Sequence, residues 1–313
     1  MGNNMYENDN KDNSGTVLKV VLITVLVIAT VICVGIGVMV HIFRNFRVEG
    51  NKGFISKYVT AANYSLKTES FDDRIEDFEN IKLNLPMGDV DIKYGDEYRL
   101  AYELPESMVP SYHMDGDTLV VECKNKVNNF PLNVNSRKIF VTITVPRGEY
   151  KPGNLDVNLS LGDIDFSGID FENIYIDANM GDIEFDGVNT RNVEIDADMG
   201  KVTLTDIEAS SVSVDANMGD AVIKGSAIGK VNINCDMGNV ELIRIDSDNV
   251  EVNCNAGNIE VDGKVKEIAA ECDMGNIEFD SELDIDDVIM DLHCDMGDIK
   301  INGDDHGNSF KKH

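Results

Sequence analysis

One short phrase recurs through the second half of the chain. DANMGDIEF, DADMGKVTL, DANMGDAVI, NCDMGNVEL, NCNAGNIEV, ECDMGNIEF and HCDMGDIKI follow one another between residues 177 and 301. Their glycines, with one copy upstream, are Gly162, Gly181, Gly200, Gly219, Gly238, Gly257, Gly275 and Gly297, spaced by 19 residues until the last two gaps of 18 and 22. A fixed period near 20 residues builds stacked supersecondary units, each too small to bury an apolar face alone. The repeat therefore excludes a conventional single-core globule.

Inside each unit the apolar residues alternate: Val193, Ile195, Ala197, Met199, then Gly200, then Val202 and Leu204. A period of two is a strand with one face buried. A longer strand, a glycine corner, a second short strand and a polar return fill one period. The expected fold is all-β, a parallel β-solenoid (β-helix) of about 19 residues per coil. Glycine suits the corner because a positive φ costs a residue with a Cβ about 1 kcal/mol.

The same parity sends Leu161, Met180, Met199, Met218, Met237, Ala256, Met274 and Met296 inward, where thioethers fill irregular gaps. A copper-binding methionine array would need accessible sulfurs, which core parity denies. Three residues before each glycine a small inward slot holds Ala178, Ala197, Ala216, Cys235, Cys254, Cys272 and Cys294. Buried free thiols are the expected state there; stacked disulfides and a thiol metal site are the alternatives. Phe166, Phe185 and Phe279 also point inward, and Tyr175 is the main outward ring.

The outward columns carry the acid. Asp182, Asp198, Asp220 and Asp236 are the candidate calcium ligands, but the paired glycines of known calcium-binding repeats are missing, and calcium needs several oxygens converging on one point. A solvated face with asparagine ladders is the simpler expectation. Neither a catalytic nor a cofactor site is expected: the acids recur in every coil with no singular pair, and His113, His293, His306 and His313 share no nucleophile-and-base arrangement.

With 57 acidic against 27 basic residues the net charge is −30, which argues against nucleic acid as a partner. One segment is of another kind. Val20 to Val40 is 21 residues without a charge, about 31 Å as a helix, which matches the hydrocarbon core of a bilayer. The expected organisation is a polar tail (1–16), a transmembrane helix (17–43), a juxtamembrane linker (44–75), a β-rich cap with the first motif copy (76–150), the solenoid repeats (151–303) and a polar, frayed tail (304–313). Arg44, Arg47, Lys52 and Lys57 after the span favour a cytoplasmic repeat domain by the positive-inside rule, although long domains translocate largely regardless of charge.

The opening I-x-L-x-L-x-x-G-D-V-x-I at residues 81–92, the V-x-I-x-V-P-x-G at 141–148 and the serial G-D-I-x-[FIV] coils resemble the bacterial "putative adhesin" domain-of-unknown-function family from about Phe78 to Gly303. The resemblance implies a single-pass protein of the cell membrane with its C-terminal domain outside. It also implies a non-catalytic binding, structural or envelope-sensing role and a surface-protein or cell-envelope partner. No site residues carry over from that family. The alternative role is a cytoplasmic-facing tethered scaffold; calcium-dependent and polysaccharide-active β-helices are minor variants.

Overall fold

The computed structural model describes residues 68–123 and 139–313. The tail 1–16, the expected membrane helix 17–43 and residues 44–67 of the linker lie outside the described residues. Among the described residues no helix is long and apolar enough to cross a membrane. Helical structure there consists of two single turns, Glu106–Met108 and Ile285–Asp287.

The repeat folds as a parallel β-solenoid of about eight turns. A representative coil comprises the strand Asn189–Met199, the corner at Gly200 and the strand Val202–Thr205. Each coil pairs with its equivalent in the next, here 19 residues on, Val193 with Val212, Ile195 with Val214 and Ala197 with Ala216. Like therefore stacks on like, as in the Phe166 and Phe185 rings, whose centroids lie 4.0 Å apart. Val193, Ile195, Ala197, Val202 and Leu204 are all buried. Full burial of each larger aliphatic side chain is worth about 1.5–3 kcal/mol, repeated coil after coil.

Coil order departs from chain order at the N-terminal end. Asn80–Leu85 and Asp89–Gly95, the first motif copy, pair in parallel with Asn154–Leu159 and Ile164–Ser167 on one side. On the other side they pair with Thr118–Glu122 and Phe140–Pro146. After Thr68–Arg74 the chain thus enters the solenoid at its second coil, builds the outermost coil above it and continues below. Three antiparallel strands then occupy the exposed edge. Arg99–Pro105 pairs with Phe140–Pro146, Thr68–Arg74 pairs with Arg99–Pro105, and Ser111–Asp115 pairs with Thr118–Glu122. Thr68–Arg74 falls within the segment read from sequence as linker.

The far end is closed too. Ser309–Lys312 runs antiparallel to Ile289–Met296, and Asp304–Asp305 pairs with Ile299–Ile301. Residues 304–313 are thus an end cap rather than a frayed tail. Phe310 packs on the core, while Lys311 and Lys312 pair with Asp291 and Asp286. An open edge of unpaired N–H and C=O groups is what such strands remove.

The corner glycines are demanded more by crowding than by φ. Gly200 and Gly219 have φ of 141° and 153°, in a region that is essentially glycine-only. A Cβ on either would also collide with the carbonyl oxygen of the equivalent glycine one coil earlier. Gly257 has no such φ, yet its Cβ would meet the Gly238 carbonyl in the same way.

Beside the glycines lie the thiols. Cys235, Cys254, Cys272 and Cys294 are buried, unbridged and in register. Each points its Sγ at a corner carbonyl of the coil before it, Cys254 at Gly238 (3.5 Å) and Cys272 at Gly257 (3.3 Å). Burial pushes the Cys272 thiol up to about 12 and raises that of Cys294. The hydrogen bond that Cys254 donates to Cys235, with burial, raises the Cys254 thiol.

Two outcomes are expected. Gly200→Ala should cost at least about 3 kcal/mol in chemical denaturation, because strain adds to a backbone collision. Gly187→Ala, with φ of 65° and nothing near its Cβ position, should cost only about 1 kcal/mol; equal losses would refute the crowding account. In native-state maleimide labelling read by mass spectrometry, half-exposed Cys123 should react and the four stacked thiols should not. Labelling of all five without denaturant would show the thiol ladder to be open.

Candidate functional site: the methionine corner and its polar ladders

The methionine column does not follow core parity. Met180, Met199, Met218, Met237, Met274 and Met296 are 39–57% exposed, and they make up six of the nine large apolar side chains exposed among the described residues. The row is therefore the main apolar feature of an acidic surface. Its cause is local. The ladder pairs Ala178 with Ala197 and Met180 with Met199 but omits Asn179 and Asp198, so the pleat loses a step at the corner. Two consecutive side chains, Asp198 and Met199, then face outward. The corner's interior is filled instead by the small residue three before glycine. Met87, the equivalent residue of the first motif copy, is buried at the capped end of the solenoid.

Hydrogen-bonded ladders flank the row. In the position after each glycine, a side-chain oxygen accepts the backbone N–H of the equivalent residue in the next coil. Asp163 accepts from Asp182 (2.8 Å), Asp182 from Lys201 (2.7 Å), Asp220 from Asn239 (2.8 Å) and Asn239 from Asn258 (3.0 Å). Lys201 carries no acceptor and ends the first run; Asp220 begins the second.

In the position two before glycine, the Asn217 amide donates to Asp198 (2.7 Å) and the Asn255 amide to Asp236 (2.8 Å). The four calcium candidates are thus placed in two separate columns, Asp182 and Asp220 on backbone N–H groups and Asp198 and Asp236 on asparagine amides. Among the described residues no three carboxylate, imidazole or thiol groups gather as a metal cluster. A third ladder, Asn154 to Asn173 to Asn192 to Ser211, runs along the start of the long strands.

Where acids meet without an asparagine between them, the electrostatics change. Asp196 stacks directly between Asp177 and Asp215. Partial burial, then the charges of Asp177, Asp198 and Asp215, raise its carboxyl above the ordinary range.

Sequence reasoning did not reach a cleft of about 1040 Å³ in the cap, lined by Arg74, Asp77, Tyr98, Tyr112, His113 and Glu149 among others. Burial and the neighbouring carboxylates, Asp77 first, raise the Tyr98 phenol. Its walls come from strands distant in sequence, so no local spacing announces it.

Comparison with known proteins places the architecture. The family described as Toastrack DUF4097 matches residues 78–312. A solved structure called a putative adhesin, from Parabacteroides merdae, is similar with a TM-score of 0.51 and 13% identity over 76% of this chain and 97% of that one. Another of the same description, from Parabacteroides distasonis, has a TM-score of 0.50 and 14% identity over the same shares. At such identities the likeness is one of fold. A search of curated proteins found no match.

The Asp196 stack yields a pH-dependent expectation. A carboxyl whose folded pKa is raised binds its proton more tightly in the folded state, so its ionisation destabilises the fold as pH rises through the carboxylate range. Asp196→Asn removes that repulsion and supplies an amide like those of Asn217 and Asn255. It should raise stability by about 0.5–1 kcal/mol at pH 7, with the gain fading as the wild type protonates below about pH 4. Thermal melts of both proteins at the two pH values check it; a loss of stability at pH 7 would refute the repulsion.

Proposed function

Because the chain belongs to the Toastrack DUF4097 family, we propose that its solenoid is a non-catalytic binding module held at the cell surface by one membrane span. The observation that carries the reading is the uniformity of the exposed corner. Each coil offers nearly the same outward set, methionine between ladders of aspartate and asparagine, and no coil sets a single pair of acids apart. Such a surface suits contact along its length, as in other solenoids, rather than chemistry at one point. Solved proteins of this fold are called "putative adhesin", and a contact role is the form in which that name extends to this chain.

The uncharged run Val20–Val40 supports the anchor. The domain plan that goes with it has residues 1–16 inside, 17–43 across the bilayer and the repeat domain outside, facing a surface-protein or envelope partner. The basic residues Arg44, Arg47, Lys52 and Lys57 favour the opposite orientation, which makes a cytoplasmic scaffold the second reading.

Protease added to intact cells, with the wall removed, separates the two. Surface exposure predicts cleavage ahead of Thr68 and release of the compact Ser65–His313 unit as one soluble fragment of nearly that size. Protection until the membrane is permeabilised would place the domain in the cytoplasm and end the surface reading.

A further inference from the structure

The exposed methionines have a chemistry that contact alone does not use. Four of them, Met180, Met199, Met218 and Met237, stand in unbroken register on successive coils. Ala256 then interrupts, and Met274 and Met296 form a second run on adjacent strands. The chain holds 13 methionines in all, so nearly half are concentrated in this one column. We propose that the row is a binding site for soft monovalent metal ions, Cu(I) or Ag(I), held between thioethers of adjacent coils.

Three observations converge. Thioether sulfur is a soft ligand that favours Cu(I) over hard cations, and the methionines that carry it are 39–48% exposed through the first run. Adjacent strands lie about 4.8 Å apart. Zinc–thiolate bonds are about 2.3 Å long; at a similar length an ion bound linearly between two thioether sulfurs spans about one coil step, and three rotatable bonds let each side chain adjust.

The flanking columns add negative charge beside the row, and one oxygen each of Asp198 and Asp236 accepts an asparagine amide. Among the described residues no three carboxylate, imidazole or thiol groups converge as hard divalent cations require. Where the end cap covers the column, at Met87, the side chain is buried and outside the site.

The test uses the full chain purified in detergent, kept anaerobic with ascorbate and labelled with ¹³C at the methionine methyl groups. Cu(I) is supplied as its complex with a chromophoric bidentate chelator. The expected result is that the protein withdraws Cu(I) from the chelator, and that the methyl resonances of Met180, Met199, Met218, Met237, Met274 and Met296 move while those of buried Met108 and Met290 stay.

Changing Met180, Met199, Met218 and Met237 together to Leu, a conservative exchange at exposed positions, should remove at least half of the Cu(I) capacity. The fold of that variant is checked by circular dichroism, and the wild-type methyl shifts decide the matter even if it fails to fold.

The buried thiols provide the rival site. Cys235, Cys254, Cys272 and Cys294 changed together to Ala should keep the capacity, since Ala already fills this slot in the coils of Ala178, Ala197 and Ala216. Stationary column methyls, full capacity in the Leu variant, or capacity lost only in the Ala variant would each overturn the proposal.

Discussion

At every corner a glycine lies against the carbonyl of the glycine one coil before it, and the spacing of the whole stack is set there. Gly181 donates its N–H to the Met199 carbonyl, and Gly200 donates to that of Met218, at 3.0 and 3.1 Å. Parallel pairing holds neighbouring strands about 4.8 Å apart; a Cβ at this point would force the coils apart. Once the corner closes at strand spacing, every other column falls into register. Alanine or cysteine fills the inside of the bend, methionine is turned out, and side-chain oxygens of one coil reach backbone N–H groups of the next.

That register also accounts for the acidic composition. An aspartate placed after the corner satisfies a backbone donor that the bend withholds from the strand ladder, as Asp163 does for Asp182 and Asp220 for Asn239. Buried or bent backbone must place its N–H groups somewhere, and here a carboxylate or amide column takes them. Much of the negative charge at the corner is thus structural. Its limit is visible at Asp177, Asp196 and Asp215, where three carboxylates stack without an amide between them.

Period, corner positions, strand parity, the inward phenylalanines and the small slot of Ala178 or Cys235 were all legible in the sequence, because each depends on a rule that a single coil obeys. The outward turn of Met199 was not. Parity assumes an unbroken pleat, and the step lost at Asp198 reverses the side of the next residue. The double role of Asp182 and Asp220 was hidden for a related reason: an outward acid and an acid folded onto the neighbouring coil's backbone have the same spelling. The end caps were only half legible. Residues 304–313 are polar, yet polarity does not distinguish a loose tail from an edge strand whose outer side faces water, and the pairing of Phe310 with Leu292 is long-range information.

The order of coils also bears on the route by which the chain reaches this state. Coils from Asn173 onward each meet a neighbour about 19 residues away, whereas Asn80 must meet Asn154 across 74. The entropy of closing the longer loop is greater by about 1.2 kcal/mol, and the coil at Asn80–Gly95 has both of its partners made after it. Closure entropy therefore favours a route that starts in the uniform C-terminal repeats and propagates back toward residue 80. On that route the part of the domain made first is the last to become fixed.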